Sequence, residues 1–197
     1  MELYYRGFAD ISEAKSREAR RACFRYALGE RMAKVGIVLP RSGKGPSVED
    51  YDEYIAIGQN GKPFFTKPPL EAVKFSVSHS GRFWACAFHD AEIGLDIEDI
   101  EYRNIDNQRM MGIASRFFLP EEENYLREAA DDGKLKEKFF EIWTRKEACL
   151  KYRGFTLARG LRKFPVLKDD LGDSVVKTIK TAPGFACAIC VKQVPEA

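Results

Sequence analysis

The chain has 197 residues, 45% of them hydrophobic and 31% charged, with a formal net charge of +2. These values allow a packed core and exclude an extended disordered chain, and the near-balanced charge argues against a bulk nucleic-acid binder. No apolar run is long enough to span a membrane, and residues 1–10 lack the charged and apolar regions of a signal peptide, so a cytoplasmic protein without membrane attachment is expected.

In chain order, residues 3–9 read as a short strand. Ser12 is a helix N-cap candidate, and a long helix over 14–38 follows, made basic by Arg17, Arg20, Arg21, Arg25 and Arg31. A Gly- and Pro-rich loop covers 40–46. Residues 51–57 read as a helical turn or short strand, and 58–63 as a turn cluster. Strands are expected at 73–78 and 83–88, joined by a hairpin turn at 79–82, with a third strand at 92–98. Residues 109–118 read as helix. Pro120-Glu-Glu-Glu123 starts another, because Pro suits the first turn and acids suit the positive helix end. A helix over 134–152 stops near Gly154, and strands at 175–181 and 185–192 flank Pro183-Gly184.

Trp84-Ala-Cys-Ala-Phe88 is echoed half a chain later by Phe185-Ala-Cys-Ala-Ile189, and the elements around each copy come in matching order. This predicts an α+β fold of two similar halves, residues 1–101 and 102–197, related by a pseudo-twofold axis with a ligand cleft between them. The five cysteines are isolated in apolar surroundings and read as buried free thiols. Cys187 and Cys190 have CxxC spacing but lie on a strand, where positions three apart face opposite sides.

Three segments carry chemistry. In Gly94-Leu-Asp-Ile-Glu98 a strand projects Asp96 and Glu98 from one face. Two such carboxylates either bind a hard cation such as magnesium or form an exposed acidic strand end. In Trp143-Thr-Arg-Lys-Glu-Ala-Cys-Leu-Lys151, Glu147 and Lys151 share a helix face. They form a surface salt bridge or serve the same centre, Glu147 with the metal or a proton and Lys151 with a phosphate. In Phe75-Ser-Val-Ser-His-Ser-Gly81 a strand turns at Ser78 and His79, where exposed N–H groups and the imidazole suit an anion. No P-loop, dinucleotide fingerprint or nucleophile elbow is present.

Together with Gly61-Lys-Pro63, Arg116-Phe-Phe and Glu121 to Glu123, these segments resemble in order and spacing the 4′-phosphopantetheinyl transferase superfamily, in its monomeric, internally duplicated branch. The resemblance covers about residues 55–164. It implies a magnesium-dependent enzyme of the holo-[acyl-carrier-protein] synthase type, which moves the 4′-phosphopantetheine arm of coenzyme A onto a serine of an apo acyl or peptidyl carrier protein and releases 3′,5′-ADP. Carried over residue by residue, it makes Asp96, Glu98 and Glu147 the magnesium ligands and Lys151 the pyrophosphate contact. Ser78 and His79 then meet the coenzyme A phosphates, and Lys62 lies near the donor. Outside that carry-over, because the family's residues for the 3′-phosphate and adenine do not align uniquely here, Arg21 and Arg25 on the first helix are assigned to them, and Glu147, directly or through a metal-bound water, to deprotonation of the carrier serine. The competing reading is a non-catalytic coenzyme A or carrier-protein binding module of the same fold.

Overall fold

The computed structural model describes residues 1–36, 48–129, 131–156, 160–180 and 183–193. The expected loop at 40–46, the helix end at 37–38 and the strand end at 181 lie outside them.

The first half opens with β1 (Glu2–Gly7) and the short helix α1 (Ile11–Lys15), capped by the Asp10 carboxylate, which accepts from the Ser12 amide. The chain then breaks at Ser16, so one continuous helix from 14 onwards does not form. Ser16 is extended, and its hydroxyl accepts from the Ala19 amide, capping α2 (Arg17–Val35) afresh. Gly36, at φ 68°, ends α2 in the left-handed region. Residues 48–54 form a 3-10 turn, and β2 (Ile55–Ile57) pairs with β3 (Pro63–Phe65), so both readings of 51–57 hold for part of the segment. The hairpin of β4 (Lys74–Ser80) and β5 (Phe83–His89) completes a sheet of order β1-β5-β4.

The second half starts at β6 (Ile93–Asp99). Helices α3 (Asn107–Phe117), α4 (Pro120–Arg127) and α5 (Asp132–Arg153) follow, then β7 (Ser174–Thr178) and β8 (Phe185–Lys192). The sheet order is β6-β8-β7, with Ile93 opposite Val191 and Asp99 opposite Phe185. Each sheet therefore places its last strand between its first and its penultimate one. β6 precedes residue 102 and pairs with β8 in the second sheet.

The sequence echo falls on β5 and β8, the central strands of their sheets, but it is out of phase. In β5, Trp84, Cys86 and Phe88 pack in the core under α2, while Ala85 and Ala87 face the layer between the sheets. In β8, Cys187 and Ile189 enter that middle layer, and Ala186, Ala188 and Cys190 pack under α5. A one-residue offset exchanges the faces of a strand. All five cysteines are free and buried, and Cys187 and Cys190 lie on opposite faces.

The halves join where β6 meets β4. One edge of β6 pairs with β8. On the other edge, the Leu95 amide donates to Ser76 Oγ at 3.0 Å and the Ile97 amide to Ser78 Oγ at 3.4 Å. The alternating serines of β4 thus satisfy a buried strand edge that would otherwise hold unpaired donors.

Candidate active site

The acids expected on β6 lie at this junction. Gly94 is the reason α5 can reach them. A Cβ built on Gly94 would stand 2.0 Å from the Ala148 carbonyl oxygen and 2.5 Å from the Tyr152 nitrogen, both in the backbone of α5. Only glycine allows that approach, and it sets Glu147 and Lys151 over Asp96 and Glu98.

Asp96 is buried. Its Oδ1 accepts from Ser78 Oγ and from Lys151 Nζ, both at 2.8 Å, and Lys151 also donates to Ser78 Oγ at 2.9 Å. Its other oxygen, Oδ2, is buried without a hydrogen-bond partner. Burial pushes the Asp96 carboxyl up, against the opposing pull of Lys151. Glu98, also buried, is clamped by Arg103, whose Nε and Nη2 donate at 2.8 Å to its two carboxylate oxygens. Ser80 Oγ donates to it as well.

Glu147 is half-buried. Burial first, and then the negative charges of Asp96 and Glu98, push its carboxyl up to about 7. The Glu147–Lys151 salt bridge that helix spacing permits does not close among the described residues, because Lys151 turns to Asp96 instead. Lys146, one residue before Glu147, points the other way. It is fully buried, pairs with the equally buried Glu122 at 2.8 Å, and donates to the carbonyls of Leu161 and Phe164. Arg145 is likewise spent on the carbonyls of Val166 and Lys168 and on Asp169.

Next to the acids, a cavity of about 350 Å³ opens between α2, the 3-10 turn and β4. Arg17, Arg20 and Arg21 give it positive charge, His79 stands at its wall, and Phe24, Tyr51 and Trp84 give it aromatic surface. Arg20 donates to His79 Nε2 at 3.0 Å. Desolvation and the Arg20 and Lys151 charges push His79 down, so its imidazole is neutral at neutral pH. Arg21 lines this cavity and pairs with Asp52, whereas Arg25 is not among the lining residues. Lys62 stands apart from the arginines. It pairs with Glu92 and donates to the Ile93 carbonyl at 2.7 Å, and with Lys151 it lines a smaller cavity at the end of α5.

The fold therefore gathers Asp96, Glu98, Glu147, Lys151 and Ser78, with His79 at the edge of the basic cavity. Sequence reasoning missed Ser76, Ser80 and Arg103 as partners of β6, and Arg17 and Arg20 as cavity residues. The serines had a legible signal, since Ser76, Ser78 and Ser80 alternate on β4 with the same period as Asp96 and Glu98 on β6. As it stands, no group of three or more His, Cys, Asp or Glu side chains among the described residues is arranged to hold a metal ion.

Comparison with known proteins gives one family. The family model described as the 4′-phosphopantetheinyl transferase superfamily matches residues 92–194, from the start of β6 to just past β8. The 4′-phosphopantetheinyl transferase Sfp of Bacillus subtilis (strain 168) is 30% identical over 190 residues, covering 89% of this chain and 81% of its own. A second 4′-phosphopantetheinyl transferase from Bacillus subtilis is 33% identical over 162 residues, covering 80% and 68%. The 4′-phosphopantetheinyl transferase AcpT of Escherichia coli O157:H7 is 40% identical over 101 residues, covering 51% and 48%.

Proposed function

This chain belongs to the 4′-phosphopantetheinyl transferase superfamily, and we propose that the cluster of Asp96, Glu98, Glu147 and Lys151 is the centre at which it transfers phosphopantetheine from coenzyme A to a carrier-protein serine. In this reaction the serine oxygen bonds to the phosphorus that carries the pantetheine arm. The bond from that phosphorus to the bridging oxygen of the pyrophosphate breaks, the serine proton goes to a base, and 3′,5′-ADP leaves.

The observation that carries the reading is the buried Asp96 Oδ2 with no partner, beside a glutamate pushed up to about 7. An unpaired carboxylate oxygen in a buried site is costly, and a cation offsets that cost. Magnesium fits, because it commonly takes one or two protein carboxylates and completes its shell with water and substrate phosphates. The cluster need not be a self-sufficient cage. When bound, the ion supplies neutralisation of the charge that grows on the leaving phosphate.

The other roles follow from the side chains. Lys151 spends two of its three N–H bonds on Asp96 and Ser78, which leaves the third for a donor phosphate. Glu147, on the face of α5 turned to Asp96 and Glu98, is the carboxylate this reading assigns as base for the carrier serine. The Ser78 hydroxyl proton is directed to Asp96, so its part is to hold Asp96 and Lys151 together. Arg17, Arg20, Arg21 and His79 suit the phosphates of coenzyme A, and the aromatic surface of Phe24 and Tyr51 suits its base. Lys62 reaches the donor only on release from Glu92.

Both halves contribute to the centre within one chain, which supports a monomer. Free buried thiols suit a reducing cytoplasm. Among the described residues no helix is long and apolar enough to cross a membrane. The acceptor in this reading is an apo acyl or peptidyl carrier protein, which makes the enzyme one of the holo-[acyl-carrier-protein] synthase type. The test is the intact mass of an apo acyl carrier protein incubated with this protein, coenzyme A and magnesium. The expected result is a gain of one phosphopantetheine. An unchanged mass across acyl and peptidyl carriers, with coenzyme A still bound, would leave only the binding-module reading.

A further inference from the structure

We infer that a second cavity, set where the layer between the sheets reaches their free edges, binds a fatty acid by its hydrocarbon chain and its carboxylate. The cavity shares no lining residue with the basic cavity beside α2 and none with the acid cluster, so it stands apart from the transfer reaction. Its volume is about 610 Å³, a size usual for small-molecule sites. β1 is bonded only to β5 and β7 only to β8, so each is an edge strand of its sheet. Leu95, Ile97 and Cys187 close the middle layer against Ala85 and Ala87. Toward the edges that layer opens, between Met1 and His89 on the side of the first sheet and β7 and β8 on the side of the second.

The wall on the second sheet is amphipathic. Val175 lies opposite Val191 and Lys177 opposite Ile189. Residues two apart on a strand share a face, so one face carries three aliphatic side chains and one ammonium. Lys177 and Lys192 both line the cavity, and neither is in an ion pair among the described residues. His89 Nδ1 accepts from the Ala91 amide at 2.9 Å, which puts a ring proton on Nε2 and leaves that N–H to donate. No acid lines the cavity, and the acids nearest it in sequence, Glu2, Asp90 and Asp173, are paired with Arg31 and Arg153. The complement of such a wall is an anion joined to an aliphatic chain. Phosphate alone would leave the aliphatic strip in water, and a neutral hydrocarbon would leave the lysines unmatched. A nucleotide finds no Phe, Tyr or Trp ring there to stack on. A lysine on the inner face of an edge strand also guards that edge against pairing with another chain, a role that needs no ligand.

The test is titration of dodecanoate, below its micelle concentration, into the full chain, followed by NMR of backbone amides and methyl groups. Saturable binding is expected, with the shifts centred on Val175, Ile189 and Val191. Lys177→Glu removes one attraction and adds one repulsion, each worth up to about fivefold at an exposed site, so the variant should bind roughly tenfold more weakly. Lys177 is exposed, and circular dichroism should show the variant folded like wild type. Dodecyltrimethylammonium, with the same chain and the opposite charge, and acetate, with the same head and no chain, should both bind more weakly than dodecanoate by at least that factor. The inference is overturned if dodecanoate does not saturate, if its shifts centre on Phe24 and Val77 beside α2, or if the cationic amphiphile binds as well. Unchanged affinity in Lys177→Glu would likewise overturn it and leave Lys177 as a guard of the sheet edge alone. Phosphopantetheine transfer is not read in this experiment, so either result leaves the proposed reaction untouched.

Discussion

Replacing Glu147 with Gln is expected to stabilise the metal-free protein at alkaline pH while removing its activity. The magnitude follows from the site. Burial and the charges of Asp96 and Glu98 carry the Glu147 carboxyl from its ordinary 4.5 to about 7. Because the folded carboxyl holds its proton more tightly than the unfolded one, the folded state binds the extra proton between these values. Stability therefore falls as pH rises from about 4.5 to 7, and the loss is complete above 7. The ionised side chain costs the fold roughly 3 kcal/mol at pH 8, less whatever water at this half-buried position screens. Glutamine carries no charge and avoids that cost. In thermal unfolding with a chelator present, the two proteins should melt together at pH 4.5, and Glu147→Gln should melt roughly 5–10 °C higher at pH 8 for a chain of this size. Magnesium at pH 8 should then raise wild type more than the variant. A melting difference that does not change with pH, or one favouring wild type at pH 8, would refute the reasoning.

Two further outcomes test what positions the centre. Gly94→Ala places a Cβ against the α5 backbone, so β6 and α5 must separate. A cost of about 1–3 kcal/mol in urea unfolding is expected, with a loss of transfer larger than that cost explains, because Lys151 then leaves Asp96. Normal transfer in this variant would contradict the packing account. Lys146→Met strands Glu122 in a fully buried site and should cost about 3–5 kcal/mol, part of which Glu122→Gln restores in the double variant. Urea midpoints of the three proteins decide it, and additive losses would show that the pair does not act as a unit.

Much of the fold was legible because its signals are local. Period-two apolar residues marked β4, β5 and β6, and Pro120 and Gly154 marked helix ends that the structure places at the same residues. The break at Ser16 was not legible, because the helical pattern runs through it and one hydroxyl bonded to one amide decides the outcome. The matching strand order of the two three-stranded sheets was legible from the order of elements. The five-residue echo that suggested it proves out of phase, since alternating small and large residues suit either face of a central strand.

The site divides the same way. Asp96 with Glu98, and Glu147 with Lys151, lie at spacings that fix a shared face within one element. That the two pairs converge depends on Gly94, whose need appears only when α5 is packed against β6. Arg103 and Ser80 reach Glu98 from a loop and from another sheet, and no periodicity encodes either contact. Choosing among the arginines of α2 required knowing which side of the helix faces the cavity. Basic residues recur around that helix, so Arg25 was as plausible in sequence as Arg17 or Arg20.

The most direct test of the central claim is the mass of an apo acyl carrier protein after incubation with coenzyme A, magnesium and either wild type or Asp96→Ala. Folding of the variant is checked by circular dichroism. Wild type is expected to add one phosphopantetheine to each carrier, and Asp96→Ala, although folded, to add none. Near-normal modification by Asp96→Ala would contradict the assignment of the reaction to this acid cluster.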